Sequence, residues 1–507
     1  MVGIGVCVAP LLGLLAPAFE ADRAILSLAS RYLADSLIVI GGAGGLAILI
    51  GVGAAWAIAM TEFPLRRWFG AMMILPLALP GYVAAYVWAD VLAPSGPIRG
   101  LVLQIAPQST ILQVSGPTGP WAVGIVLGLV LYPYVYLPAR AAFEAQAANS
   151  LEAARSLGAS PWAAFALVGA PMALPAILAG AALVMMEAAA DYGASVHLGA
   201  QTLSVGLFRA WFGAGDVAIG AKIGLCLAGL AGLLLWIEVI ARRRADRLGF
   251  SRNERPAARY KLSNTAAFLT ICMLFVCLFM SFLAPVGRLL YLAISYRIDF
   301  SELFFLSSNT FALGATGAAL CILLALCFIF GAQAGANIAR WGAPIAGLAY
   351  AMPGAVLGLG ASLALAGLGA SSLGAIGFLA LFWAYAARFT QTGLGPMRAA
   401  LARAGQGYSA SAASLGAKPL RRFFQIEGRF FLPGALIGAL FAFIEIAKEL
   451  PATFALRPFG FDSLAVRIHN YAADERLGQA AAPALALVLL SLAPAFWVAR
   501  QIERDRS

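Results

Sequence analysis

Charge is what this sequence has least of. Of 507 residues only 11% are Asp, Glu, Lys or Arg, while 62% are hydrophobic; a soluble domain carries roughly 25% charged residues. Mean hydropathy is +0.87. Histidine is scarcer still: His197 and His469 are the only two, and both fall in expected external loops, so no hydrolytic constellation can be assembled around them. The six cysteines (Cys7, Cys226, Cys272, Cys277, Cys321 and Cys327) lie in apolar runs without histidines at metal-ligand spacing. They read as small helix-packing residues. No G-x-x-x-x-G-K-[ST] phosphate loop occurs, so nothing in the chain should cradle ATP. The first apolar run, Val2 to Phe19, lacks a basic n-region and is expected to be a first spanning helix, not a cleaved signal peptide. These absences leave no basis for a soluble enzyme, a metal-centred protein or a self-contained ATPase.

What is present instead is a series of long apolar runs. "SLIVIGGAGGLAILIGVGAAWAIAM", from Ser36, exceeds the ~20 residues needed to cross a bilayer. The pattern predicts an all-α polytopic membrane protein with about twelve spans. They lie near 2–19, 36–61, 69–93, 121–143, 173–191 and 217–241, then near 265–290, 309–336, 343–367, 374–397, 432–450 and 481–499. Between the two sets runs the polar stretch 242–264, "RRRADRLGFSRNERPAARYKLSN", with eight Lys/Arg. With a net charge of +11, this excess is read as positive-inside bias, not as nucleic-acid binding. The linker is then cytoplasmic, and so are both termini. Six crossings per half is an even number, so residues 1–241 and 265–507 are expected as two tandem six-helix repeats. A pseudo-twofold axis along the membrane normal would relate them.

A written duplication supports that expectation. "SLGASPWAAFALVGAPMALP" begins at Ser156 and "SLGAKPLRRFFQIEGRFFLP" at Ser414, an offset of 414 − 156 = 258. At the same offset Gly180 pairs with Gly438, Glu187 with Glu445, and Asp191 with Glu449. "LALPGYV" (from Leu77) and "YAMPGAV" (from Tyr350) each place a Pro-Gly break inside an apolar helix. Internal repetition of this kind is the strongest organisational signal in the chain.

The repeated turn falls in cytoplasmic loops expected at 144–171 and 402–430. In "LEAARSLGASPW" (Leu151 to Trp162), Leu151, Ala154 and Leu157 make an apolar stripe. Gly158 sits where a helix ends in a left-handed residue, Ser160 can cap the next helix and Pro161 suits its first turn. One such loop could pack on the membrane surface or its own bundle; two at equivalent places favour docking to a two-copy partner.

Glu152-Ala153-Ala154, three residues and then Gly158 resemble the EAA loop of permease subunits in binding-protein-dependent ABC importers. The resemblance runs through the whole chain, twice. It implies the type I importer permease fold. It also implies that Glu152, Ala153, Ala154, Leu157 and Gly158, with Ser414, Leu415 and Gly416 in the second copy, contact two copies of a cytoplasmic ABC ATPase. The second copy departs from the pattern: Ala410 stands where the Glu would fall and Ser411 replaces the first Ala.

The segments following the fifth helix of each half, from Ala190 and from Lys448, resemble those of iron(III) importer permeases with fused halves. That implies an external gate and a surface for an extracellular or periplasmic substrate-binding protein, in a bacterial cytoplasmic membrane and in contact with its lipid. No cofactor is expected on the chain itself; ATP is expected on the partner subunits. Glu187, Asp191, Tyr192, Glu445, Lys448 and Glu449 lie inside or at the ends of apolar helices. Charges there are costly, so they either line a translocation path or pair between helices. Thiamine or a phosphonate remains an alternative cargo, and an ion-coupled secondary transporter an alternative of another class.

Overall fold

In the computed structural model the described residues are all but 1, 21–24, 94, 99–115, 146–156, 159, 248–258, 334–341, 368–372, 405–413, 415, 417–420, 422 and 505–507. Helix dominates, as an apolar chain in lipid requires: helices satisfy every backbone donor and acceptor internally. Among the described residues six helices are long and apolar enough to span: Tyr32–Met60, Phe165–Ala190, Val217–Arg244, Asn264–Ser295, Phe300–Ala332 and Gly428–Lys448. Three bent pairs bring the number to nine if each is one span: Arg66–Ala78 with Gly81–Leu92, Pro120–Leu131 with Pro133–Glu144, and Gly342–Ala351 with Gly354–Gly367. Among the described residues length and composition alone therefore give six to nine spans, and the expected number of about twelve is not reached on those criteria. The apolar helices Gly3–Ala18 and Leu477–Leu492 are shorter. The helix Leu373–Ala404 carries Arg388, Arg398 and Arg403 within its length.

The two sharpest bends, 91° and 110°, are the two Pro-Gly breaks read in the sequence. Proline has no N–H to continue the preceding helix, yet its carbonyl can start the next one. Pro80 O accepts from the amides of Val83 (3.0 Å) and Ala84 (3.1 Å), and Pro353 O from those of Val356 (3.0 Å) and Leu357 (3.2 Å).

Packing separates the chain into two compact units that cut across the expected division at the linker. One comprises Met1–Ile25, Gly206–Ala228 and Tyr296–Ser507; the other comprises Leu26–Val205 and Gly229–Ser295. Each unit thus contains the first helix of the opposite sequence half. In the first unit that helix, Val2–Gly13, lies against Gly354–Gly367, and a Cβ on Gly13 would sit 3.3 Å from the Ala364 amide. Trp383 Nε1 donates to Val6 O at 2.8 Å. In the second unit Asn264–Ser295 supplies Arg288, which pairs with Asp90 at 2.7 Å. Helices surrounded by lipid gain no hydrophobic advantage from sequence neighbours; close backbone approach and polar partners choose their contacts.

The basic linker also ends in a way its composition does not suggest. Tyr260–Lys261 pairs in parallel with Thr61–Glu62, and Arg259 lies 3.8 Å from Glu62.

Candidate functional site

The repeated turns keep the geometry their glycines imply. Gly158 has φ +84° and Gly416 φ +77°. Among the described residues nothing lies within 4 Å of an added Cβ at either. Leu157 is 88% exposed, so the apolar edge beside Gly158 is presented outward. Ser160 Oγ accepts from the Ala163 amide at 3.2 Å, capping Pro161–Ala164. Ser414 is described at the second turn; Glu152, Ala153, Ala154 and Leu415 lie outside the described residues.

Beyond each turn the chain repeats in register. A wide π turn at Phe165–Gly169 leads into Ala170–Ala190, and one at Phe423–Glu427 leads into Gly428–Lys448. The offset is again 428 − 170 = 258. Gly180 and Gly438 bring these helices onto their neighbours. A Cβ on Gly180 would strike Tyr134 O, and one on Gly438 would lie 2.6 Å from Gly393 Cα and 3.1 Å from Thr392 O.

Both helices stop on a carboxylate. Asp191 Oδ1 accepts from the amides of Ala194 (2.9 Å) and Ser195 (3.1 Å). Glu449 accepts from the amides of Ala452 (Oε1, 3.0 Å) and Thr453 (Oε2, 3.0 Å), at the same offset, 452 − 194 = 258. Each acid also reaches the Pro-Gly break of its own unit. A Cβ on Gly81 would lie 3.9 Å from Asp191 Oδ2, and one on Gly354 would collide with Glu449 Oε1. One carboxylate therefore ends the fifth helix, caps the short helix that follows, and faces the first turn of the helix beyond the break. Helix N-termini present unsatisfied N–H groups and partial positive charge, so an anion placed there is favourable.

The surroundings of the two acids differ. In the second half Arg388 Nη1 lies 3.6 Å from Glu449 Oε1, with side chains 9% and 2% exposed. Lys448 Nζ lies 3.1 Å from Glu445, and Tyr385 Oη is 2.5 Å from Thr453 Oγ1. Subtracting 258 places Val130 opposite Arg388, Ala190 opposite Lys448 and Leu127 opposite Tyr385. Among the described residues no cation lies within ion-pair distance of Asp191. Its unit holds tyrosines instead: Tyr82 and Tyr86 have ring centroids 5.8 Å apart, and Tyr86 meets His197 edge-on at 4.5 Å. Tyr192, half-buried, precedes the short helix Gly193–His197 with nearly the backbone angles of Leu450 in the other half.

Of the charged residues singled out by sequence, Glu445, Lys448 and Glu449 are thus brought into ion pairs. Arg388 was not singled out, although an arginine within "LFWAYAARFTQTG" was signal enough. Its partner is 61 residues away, and spacing alone does not reveal it.

Residues 47–286 match the family described as binding-protein-dependent transport system inner membrane component. The permease match begins inside Tyr32–Met60 and ends inside Asn264–Ser295, so it covers the first repeated turn, Asp191 and the basic linker. Over 460 residues the chain is 24% identical to the Fe(3+)-transport system permease protein FbpB 2 of Haemophilus influenzae, covering 89% of this chain and 86% of that protein. A shorter stretch of 157 residues is 32% identical to the molybdenum transport system permease protein ModB of Azotobacter vinelandii, covering 30% of this chain and 66% of that one. A stretch of 199 residues is 28% identical to the spermidine/putrescine transport system permease protein PotB of Escherichia coli, covering 39% and 72%.

Proposed function

We propose that this chain is the membrane-spanning permease of an ABC importer for iron(III), with both permease halves fused. The observation that carries the reading is the reach of the similarity to the Haemophilus influenzae iron(III) permease, which extends over 89% of this chain. The similarities to molybdenum and polyamine permeases cover 30% and 39%. The internal offset of 258, carried from the turn through the fifth helix to its terminal carboxylate, supports two equivalent halves. Adding Gly3–Ala18, Leu373–Ala404 and Leu477–Arg504 to the nine spans yields the twelve of a parallel six-plus-six repeat.

In this reading the turns at Gly158 and Gly416 lie on the cytoplasmic side and seat in two copies of an ATPase subunit. ATP bound and hydrolysed there closes the pair, moves both turns and shifts the bundle between inward-open and outward-open states. A substrate-binding protein delivers cargo at the outer face, the side on which each fifth helix ends in its carboxylate. The chain lies in the bacterial inner membrane with both termini cytoplasmic. It holds no cofactor and catalyses no reaction of its own.

The test is uptake by proteoliposomes holding the chain with its ATPase and binding protein, supplied in turn with ferric iron, molybdate, sulfate, spermidine, thiamine and a phosphonate. ATP-dependent entry of iron alone is expected. Entry of another of these changes the cargo and keeps the machine; entry driven by an ion gradient without the ATPase discards the machine.

A further inference from the structure

The two carboxylate ends perform the same backbone task with different side chains, and the difference bears on movement. In the second half the guanidinium of Arg388 lies over the break as well as beside Glu449: a Cβ on Gly354 would meet Arg388 Nη1 at 3.1 Å. Thr453 adds a hydroxyl bond to Glu449 Oε2 at 3.0 Å and a contact with Tyr385 Oη. In the first half Val130 and Leu127, both 2% exposed, fill the equivalent places with hydrocarbon.

Hydrating the second end separates a buried ion pair, and removing one partner of such a pair is strongly unfavourable. Hydrating the first end lets Asp191 regain water with no cation to leave behind. Local opening follows the weakest set of contacts.

We propose that Arg388 is a positioning residue: through Glu449 it clamps the end of Gly428–Lys448, the short helix Pro451–Leu456 and the Pro353-Gly354 break into one rigid piece, and the outer end that opens is that of the first half, where Val130 replaces it. As a statement about transport this rests on the alternating-access reading above; as a statement about local opening it stands on the ion pair alone. The pair then serves as a device for specifying one conformation, not as a source of net stability.

Opening can be read without transport. Ala194 and Ala452 are equivalent, 0% and 1% exposed, and have no polar side-chain role. Ala194→Cys and Ala452→Cys in the full chain would be exposed to N-ethylmaleimide, which crosses membranes, so sidedness does not enter. Peptide-resolved mass spectrometry separates them from the six native cysteines. The expected result is labelling of Ala194→Cys about ten-fold faster or more than of Ala452→Cys. Adding Arg388→Met should raise the Ala452→Cys rate by about ten-fold while leaving Ala194→Cys unchanged; Arg388→Lys should fall between. Equal rates in the two single variants would overturn the proposal. So would an Arg388→Met effect on neither probe, or on both alike, since general loosening moves both. If Arg388→Met does not reach the membrane, Glu449→Gln takes its place with the same expected result, and the comparison of the two single variants decides by itself. Uptake is never measured, so a wrong cargo or coupling partner leaves the labelling result intact. Flat labelling removes the clamp and leaves the permease reading standing.

Discussion

The fifth helices of the two halves end alike and are held differently. Ala170–Ala190 and Gly428–Lys448 each have 21 residues, follow the same wide turn and stop on an acid that caps the next short helix. Around Glu449 stand Arg388 and Thr453, and Lys448 pairs with the nearby Glu445; around Asp191 no cation stands among the described residues. A duplicated frame keeps what the backbone demands, because every copy of a helix terminus presents the same N–H groups. Cationic partners are not demanded by the backbone, so they are free to differ between copies. Variants should therefore behave alike where the halves match and unlike where they diverge.

The largest effects on uptake belong to the matched turns. Gly158→Asp and Gly416→Asp each place a side chain at positive φ, costing roughly 1–2 kcal/mol, too little to unfold the bundle. Among the described residues nothing lies within 4 Å of an added Cβ at either glycine. Uptake and ATPase co-purification should fall by about ten-fold or more in both variants, as loss of about 1.4 kcal/mol of interface energy implies, with membrane abundance near normal. Glu152→Ala should be milder, because the second copy manages with Ala410. Undiminished uptake in both glycine variants would make these turns ordinary loop punctuation.

Next come the acids. Glu449→Gln removes the carboxylate beside a buried guanidinium and should cost about 3–5 kcal/mol. Asp191→Asn keeps an oxygen for the two amides and strands no cation, so about 1 kcal/mol is expected. Thermal unfolding in detergent gives the ordering, and similar shifts for the two would erase the contrast between the halves.

Effects smaller than that of Glu449→Gln test the breaks. At Gly354 an added methyl meets a carboxylate and a guanidinium already held by each other, so Gly354→Ala should cost about 1–3 kcal/mol. At Gly81 the nearest atom is Leu127 Cδ2 at 2.6 Å, the far end of a side chain that can turn away. Gly81→Ala should then stay below about 1 kcal/mol, with the same melting assay as the measure. A Gly81→Ala variant that is the less stable of the two would show that the second break is not the tighter one.

Much was legible in residues that act locally. Apolar runs announce helices because a backbone in lipid has no other partner than itself. Pro80 and Pro353 announce bends because they lack a donor. Gly158 and Gly416 announce left-handed turns because other side chains are strained there. Repetition then supplied what one copy could not: the offset of 258 aligns Gly180 with Gly438 and Asp191 with Glu449.

What only the tertiary structure decided are contacts between distant residues whose types are common. Val2–Gly13 joins a unit made mostly of the second half because Gly13 admits the backbone of a helix some 350 residues away, and nothing in either segment names the other. Tyr260–Lys261 finds Thr61–Glu62 through backbone hydrogen bonds that any residues could make. Arg388 meets Glu449 because the fourth and fifth helices of the second half pack at Gly438, against Thr392 and Gly393. Sequence by itself determined the helices, the breaks, the turns and the repeat, since each follows from the local chemistry of the chain. Which acid received a cation within reach was decided where helices met, because distance in space and not spacing along the chain sets the energy of a buried charge.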